Sequence, residues 1–316
     1  MEIVILDGAV VNPGDLSWGG LEEMGHLTVY DRTPPEQVVS RIGEAEIVLT
    51  NKVTFTGELM ERCPRLRYIG ALATGFNNID VKTARRLGIA VTNVPAYSTH
   101  AVAQFTMALL LEICHQVGRH STGVQQGKWV MAPDFCYWET PQMELWGKRF
   151  GIVGMGQIGQ AAGALAHAFG MEVYYHSHRE KELPYPATWC SLPQLLETVD
   201  ILSLHCPLTD ETFHLVNEET IGMMKEGAIL LNTARGPLVD EKAVLEGLKT
   251  GKLAAYGADV SEKEPMAPDS PLLGAPNCIL TPHIAWASQA ARGRLIDLAV
   301  ENVRAFLRGE KRNRVE

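Results

Sequence analysis

The stretch "RFGIVGMGQIGQAAGALAHAFG", residues 149–170, runs from an apolar segment through a glycine turn into an alanine-rich helical pattern. Gly154, Gly156 and Gly159 stand at the join in G-x-G-x-x-G spacing. Each has its own mechanical reason. The first permits a tight turn, the second lets backbone approach a pyrophosphate, and the third allows close packing of helix on strand. The helix start adds N–H donors and a favourable dipole. A glycine-rich turn without function is the bland alternative, and the strand before and helix after weigh against it. The reading is a dinucleotide held at Gly154, Gly156, Gln157, Ile158 and Gly159.

Outward from this turn, short β-branched runs alternate with helical patterns, the rhythm of βαβ units around a parallel sheet. Before it come "EIVIL", "LTVY", "EIVLT", "RYIGALA" and "IAVTNV"; after it come "EVYYH", "DILSLH", "AILLNTA", "AAYGADV" and "CILT". The rhythm breaks at Pro95. Residues 99–126 then read as one long segment too apolar for a solvated helix, buried in the protein or between subunits. The closing pattern "SQAARGRLIDLAVENVRAFLRGE" is helical and is expected to return to the first domain. Two doubly wound α/β domains follow: residues 1–98 plus 285–316, and residues 99–284.

Composition narrows the partners. The 316 residues carry a net charge of -9 without clustered Lys and Arg, which argues against a nucleic-acid surface and for small ligands. Six scattered cysteines, at 63, 114, 136, 190, 206 and 278, form no CxxC pair, so no metal site is expected and a reducing cytoplasm fits. The start, "MEIVILDGAVV", lacks the basic region of a secretory signal, and no apolar run is long enough for a bilayer.

Three residues after apolar strands offer chemistry: Arg235 in "NTARGPLVD", Glu264 in "DVSEKEP" and His283 in "LTPHIAW". Ligands of open parallel sheets gather at the carboxyl ends of strands, so all three can share one crevice. A guanidinium is costly to desolvate without an anion, and Arg235 could grip a substrate carboxylate or pair internally with Asp240 or Asp259. His283 can give a proton to a carbonyl oxygen or remove it, or be a core histidine. Glu264 would orient the imidazole and favour its charged form, or be a loop glutamate in solvent. A further strand-end feature, "ALATGFNNID", reads as a strand-to-helix connection capped by "NNID", or as a loop in which Gly75 could turn the amides around Ala73, Thr74 and Gly75 inward as an anion nest. Lys52 in "TNKVTF" stands after the preceding strand, within possible reach of the same cleft.

Taken in order, "GMGQIG", "NTARG", "DVSEKEP" and "TPHIAWA" resemble the D-isomer-specific 2-hydroxyacid dehydrogenases over nearly the whole chain. "TNVPAYSTHAVAQ", "DFCYW", "ELWGKRFGIVG" and "HIAWA" are most similar to the glycerate dehydrogenase and hydroxypyruvate or glyoxylate reductase branch. The resemblance implies a flavodoxin-like substrate domain beside a Rossmann NAD(P) domain. It casts Arg235, Glu264 and His283 as the catalytic set, with a 2-oxo acid carboxylate on residues 73–75 and Arg235. Cys206 and Pro207 would border the adenosine, Thr233 would lie along the cofactor, and Asp259 would accept from the nicotinamide carboxamide. The product would be a D-2-hydroxy acid. Formate and phosphite dehydrogenases on the same fold, and dinucleotide-sensing corepressors, are the competing readings. Glu264 speaks against the formate enzymes, which the resemblance gives an amide-bearing partner there. Apolar Phe135, Cys136, Tyr137 and Trp138 are expected at a homodimer interface.

The cofactor itself is read from "MEVYYHSHRE". An NAD site of this type places a carboxylate at the end of the second strand, about 20 residues past the glycines, on the ribose 2′-hydroxyl. Ser177 stands at that position. Without a carboxylate to repel it, a 2′-phosphate can meet Ser177, His178 and Arg179, so NADP is favoured over NAD.

Overall fold

The computed structural model describes residues 1–316, which divide into two compact units, residues 1–98 with 286–316 and residues 99–285. In the first, β1 (Glu2–Ile5), β2 (His26–Val29), β3 (Ile47–Thr50), β4 (Tyr68–Ala71) and β5 (Ala90–Thr92) form a parallel sheet in the order β2-β1-β3-β4-β5. This is the flavodoxin-like order. Strands β3, β4 and β5 are buried along their whole length, as expected where helices cover both faces of a parallel sheet. The last helix, Gln289–Leu307, belongs to this unit and packs Phe306 at a tilt against Tyr68, 4.9 Å between ring centroids. Its start is fixed by Arg292, 8% exposed, which forks onto both oxygens of Asp15 at 2.7 Å. The chain's end protects the sheet edge: Val315 N–H donates to Val91 O at 3.0 Å beside an antiparallel bridge from Arg314 to Thr92.

The second unit holds β6 (Arg149–Val153), β7 (Glu172–His176), β8 (Thr188–Trp189), β9 (Ile201–Leu204), β10 (Ala228–Asn232), β11 (Leu253–Ala258) and β12 (Cys278–Leu280). All pairings are parallel, in the order β12-β11-β10-β9-β6-β7-β8. This is the Rossmann arrangement, and the chain reverses direction across the sheet between β6 and β9. That switch point is where such sheets bind ligands. The two-residue strand β8 has no counterpart in the sequence pattern.

The segment 99–126 is not one helix. Gln116 adopts a left-handed φ of 43°, splitting it into Thr99–His115 and Val117–Gln125, bent by 55°. The first helix packs within its own unit on Gln157–Ala168 and on the sheet, where Gly257 admits Ile113 and Leu109 at close range. Val117 and Val124 of the second helix remain exposed. No single helix is long and apolar enough to cross a membrane.

Candidate active site

The glycine turn after β6 uses its three glycines differently. Gly154 has φ 96°, and a Cβ there would lie 2.5 Å from the Cys206 amide nitrogen. At Gly159 a Cβ would meet Gly154 O at 2.2 Å. Both are packing constraints. Gly156 is the exception, since a Cβ there meets nothing within 4 Å. The space beside it is open at the N-terminus of the 12-residue helix Gln157–Ala168, the arrangement an approaching pyrophosphate requires.

That space is part of a cavity of about 500 Å³ at the carboxyl ends of β6, β7 and β9. It brings together Gly154, Gly156, Ser177, His178, Arg179, Cys206 and Pro207 from the sequence reading. Burial pushes the Cys206 thiol up to about 11, so it stays a neutral wall. Gln157, Ile158 and Thr233 do not border the cavity. Thr233 is buried and its hydroxyl pairs with that of Thr106 at 2.8 Å. Lys181, His205 and Glu211 line the cavity and were not picked out from the sequence. Lys181 could have been found, because it stands two residues past Arg179. Its backbone is pinned by the buried Tyr175 hydroxyl, which accepts from its N–H at 2.9 Å. The loop thus presents three basic side chains, and the only carboxylate on the cavity wall is Glu211.

Further along the same sheet, β10, β11 and β12 end in the other three candidates. Asn232, the buried last residue of β10, shapes the Arg235 turn. Its Nδ2 donates to Arg235 O at 2.9 Å and its Oδ1 accepts from Ala234 N–H at 3.0 Å. Arg235 is exposed; its guanidinium donates to Ala234 O at 2.7 Å and meets no carboxylate in ion-pair range. The two internal partners considered for it are committed elsewhere. Asp240 caps the helix Glu241–Thr250 through the amides of Lys242 and Ala243. Asp259, 1% exposed, accepts from Thr281 Oγ1 at 2.6 Å and Ile284 N–H at 2.9 Å on one oxygen, and Ala285 N–H at 2.7 Å on the other. Arg235 therefore remains open to an outside anion.

Asp259 holds the 281–285 loop through these three bonds, and the contact to a nicotinamide carboxamide expected of it would be additional to them. The loop it holds carries His283 at φ 55°, a costly backbone conformation for a residue with a Cβ. There His283 Nδ1 lies 2.7 Å from Glu264 Oε2, both side chains about one-third exposed. Glu264 can thus fix the orientation and tautomer of the ring.

In the first unit, none of the amide N–H groups of Ala73, Thr74 and Gly75 finds an acceptor within the protein. The turn is held from outside: Thr74 Oγ1 donates to Val94 O at 2.9 Å and Asn93 Nδ2 donates to Thr74 O at 2.7 Å. Gly75 is not among the left-handed glycines and does not supply the backbone freedom expected of it. Side-chain ties, rather than special glycine angles, leave these amides open. Lys52 is exposed and pairs with no carboxylate; its amide is fixed by the buried Asp7 at 2.6 Å.

Residues 107–285 match the model of the D-isomer specific 2-hydroxyacid dehydrogenase NAD binding domain. The chain belongs to this family. Over 99% of both chains it is 50% identical to a hydroxypyruvate reductase of Blautia hydrogenotrophica. It is 41% identical to a glyoxylate reductase of Korarchaeum cryptofilum, over 92% of this chain and 89% of that one. Among solved structures it is similar to an NADPH-dependent glyoxylate/hydroxypyruvate reductase from Sinorhizobium meliloti in complex with NADP and malonate. The TM-score there is 0.84 at 30% identity, over 99% and 96% of the two chains. The protein is an NAD(P)-dependent oxidoreductase.

Proposed function

We propose that the protein reduces hydroxypyruvate or glyoxylate to the D-2-hydroxy acid, with Arg235, Glu264 and His283 as its catalytic residues. The observation that carries this reading is the 2.7 Å Glu264–His283 pair on the same sheet edge as an arginine with no internal anion. Arg235 binds the substrate carboxylate bidentately and polarises the adjoining carbonyl. The unbonded amides of Ala73, Thr74 and Gly75, in the first unit, are proposed as hydrogen-bond donors to an anion. Because Nδ1 faces Glu264, Nε2 is the atom that delivers the proton to the carbonyl oxygen, and Glu264 stabilises the imidazolium that precedes transfer. When bound, the reduced nicotinamide supplies the hydride to C2. The helix start at Gly156 would hold its pyrophosphate.

NADP(H) is the proposed preference. Ser177, His178 and Arg179 stand where a 2′-phosphate would fall, and a carboxylate that would reject it does not. Names of relatives support the substrate class: a hydroxypyruvate reductase, glyoxylate reductases and a glycerate dehydrogenase of Methylorubrum extorquens at 36% identity. Assay of a panel of 2-oxo acids with NADPH and NADH tests both parts. Turnover of glyoxylate and hydroxypyruvate is expected, with higher kcat/KM for NADPH that falls selectively in Arg179→Ala. Absent turnover would overturn the substrate assignment, and a strong NADH preference the cofactor assignment.

A cytoplasmic homodimer is the proposed state. Trp129, Val130, Met131, Phe135 and Trp138 are all more than half exposed, an apolar patch suited to a second copy. Light scattering at micromolar concentration should give twice the chain mass of 34.7 kDa; a monomer would overturn this.

A further inference from the structure

Glu241 lies one residue past the Asp240 cap, in the first turn of the helix Glu241–Thr250, and is only 7% exposed. No Lys, Arg or His pairs with it. A buried carboxylate without a cation is expensive unless donors replace its water. Here they do. Oε1 accepts from Glu262 N–H at 2.9 Å and Oε2 accepts from Ser270 Oγ at 2.8 Å, while the helix start adds a favourable dipole. Both donors lie on the loop that follows β11, one on each side of Glu264.

A second contact binds the same two segments. Gly236, the residue after Arg235, packs so closely on that loop that a Cβ would lie 1.8 Å from Ser261 O. Between Gly236 and Glu241 the chain is stiff: a 3-10 turn over Gly236–Leu238, with Val216 N–H donating to Leu238 O and Asp240 N–H to Val216 O. Within the loop, Ser261 Oγ donates to Lys263 O at 2.6 Å. The segment carrying Arg235 and the loop carrying Glu264 are thereby joined at both ends.

We infer that Glu241 is a positioning residue, whose buried carboxylate clamps the 261–270 loop so that Glu264 stays against His283 and in fixed relation to Arg235. It does not border the cavity at the glycine turn. The inference rests on the catalytic assignment proposed above, and its test separates the two. A displacement of about 1 Å in a reacting group can cost on the order of 10²-fold in rate.

The measurement is kcat and KM for the purified enzyme across pH 5–9, with cofactor affinity by fluorescence titration, in Glu241→Ala, Glu241→Gln, Ser270→Ala and Glu264→Gln. In Glu241→Ala, kcat is expected to fall roughly 10- to 100-fold, with the pH profile of kcat displaced toward that of Glu264→Gln and cofactor affinity kept. Glu241→Gln retains a carbonyl acceptor for Glu262 N–H and an amide for Ser270 Oγ, so it should recover most of the rate. Ser270→Ala removes a single bond and should fall between, which keeps the test informative if Glu241→Ala does not fold. A shifted profile in Glu264→Gln with native profiles in Glu241→Ala and Ser270→Ala would sink this inference alone. Equal loss in Glu241→Gln and Glu241→Ala, or loss of stability with an unchanged pH profile, would also overturn it. A native profile in Glu264→Gln itself would remove the catalytic assignment beneath it.

Discussion

Two histidines end up at the carboxyl edge of one sheet and are treated in opposite ways. His205 follows β9 at the floor of the dinucleotide cavity, and its Nε2 shares a 2.9 Å hydrogen bond with the Ser203 hydroxyl. Burial pushes its imidazole down to about 4, so it is neutral at physiological pH. His283 follows β12, has a carboxylate rather than a hydroxyl beside it, and sits on a strained backbone clamped by Asp259. Under the proposed function, one residue type is thus a neutral wall at one strand end and a proton carrier at another. Burial alone sets the state of His205, whereas His283 is about one-third exposed with a carboxylate at its Nδ1.

The sharpest way to break this contrast is to remove each ring. His283→Ala should lose kcat by roughly 10²- to 10⁴-fold, the usual scale for a general acid–base group, with cofactor affinity unchanged. His205→Gln should keep kcat within a few-fold and act instead on cofactor KM. If both variants lose kcat alike, His205 also takes part in the chemistry and the contrast fails. Native turnover in His283→Ala would remove the proton-transfer assignment.

How much of this could be read from residues alone depends on the range over which each feature is determined. The glycine turn is local: strand, G-x-G-x-x-G and helix lie within residues 149–170, so its fold is legible from that stretch alone. The parallel sheets are legible because nearly every strand carries its own short apolar run. Strand β8 is not, since two edge residues cannot make a pattern and it is held by Tyr174 and Tyr175 across the sheet. The break at Gln116 is hidden for another reason: Val117 and Gly118 beside it are weak helix formers, yet both lie inside the second helix and only a left-handed φ at Gln116 marks the break. At the site, Arg235, Glu264 and His283 can be picked out because each follows a strand. Their supports cannot. Glu241 acts on residues 21 and 29 positions away, and Asp259 on residues 22 to 26 away, so neither task exists until the sheet is folded.

The wall histidine leaves a trace in stability as well. An unfolded His205 has the ordinary imidazole value of 6.5, and folding lowers it to about 4. Between those values the unfolded chain binds a proton that the folded chain refuses, so acid pulls the equilibrium toward unfolding. Stability from this group is complete above pH 6.5 and is lost as pH falls toward 4, with the cost near pH 5 amounting to roughly 2 kcal/mol. Urea unfolding of native enzyme and His205→Gln at pH 7.5 and pH 5 isolates the effect, because every other titrating group is common to both and cancels in the difference. The native protein should lose about 2 kcal/mol more than the variant over that interval. An equal loss in both would mean that His205 accepts a proton in the folded state. The wall and the proton carrier would then no longer differ in kind.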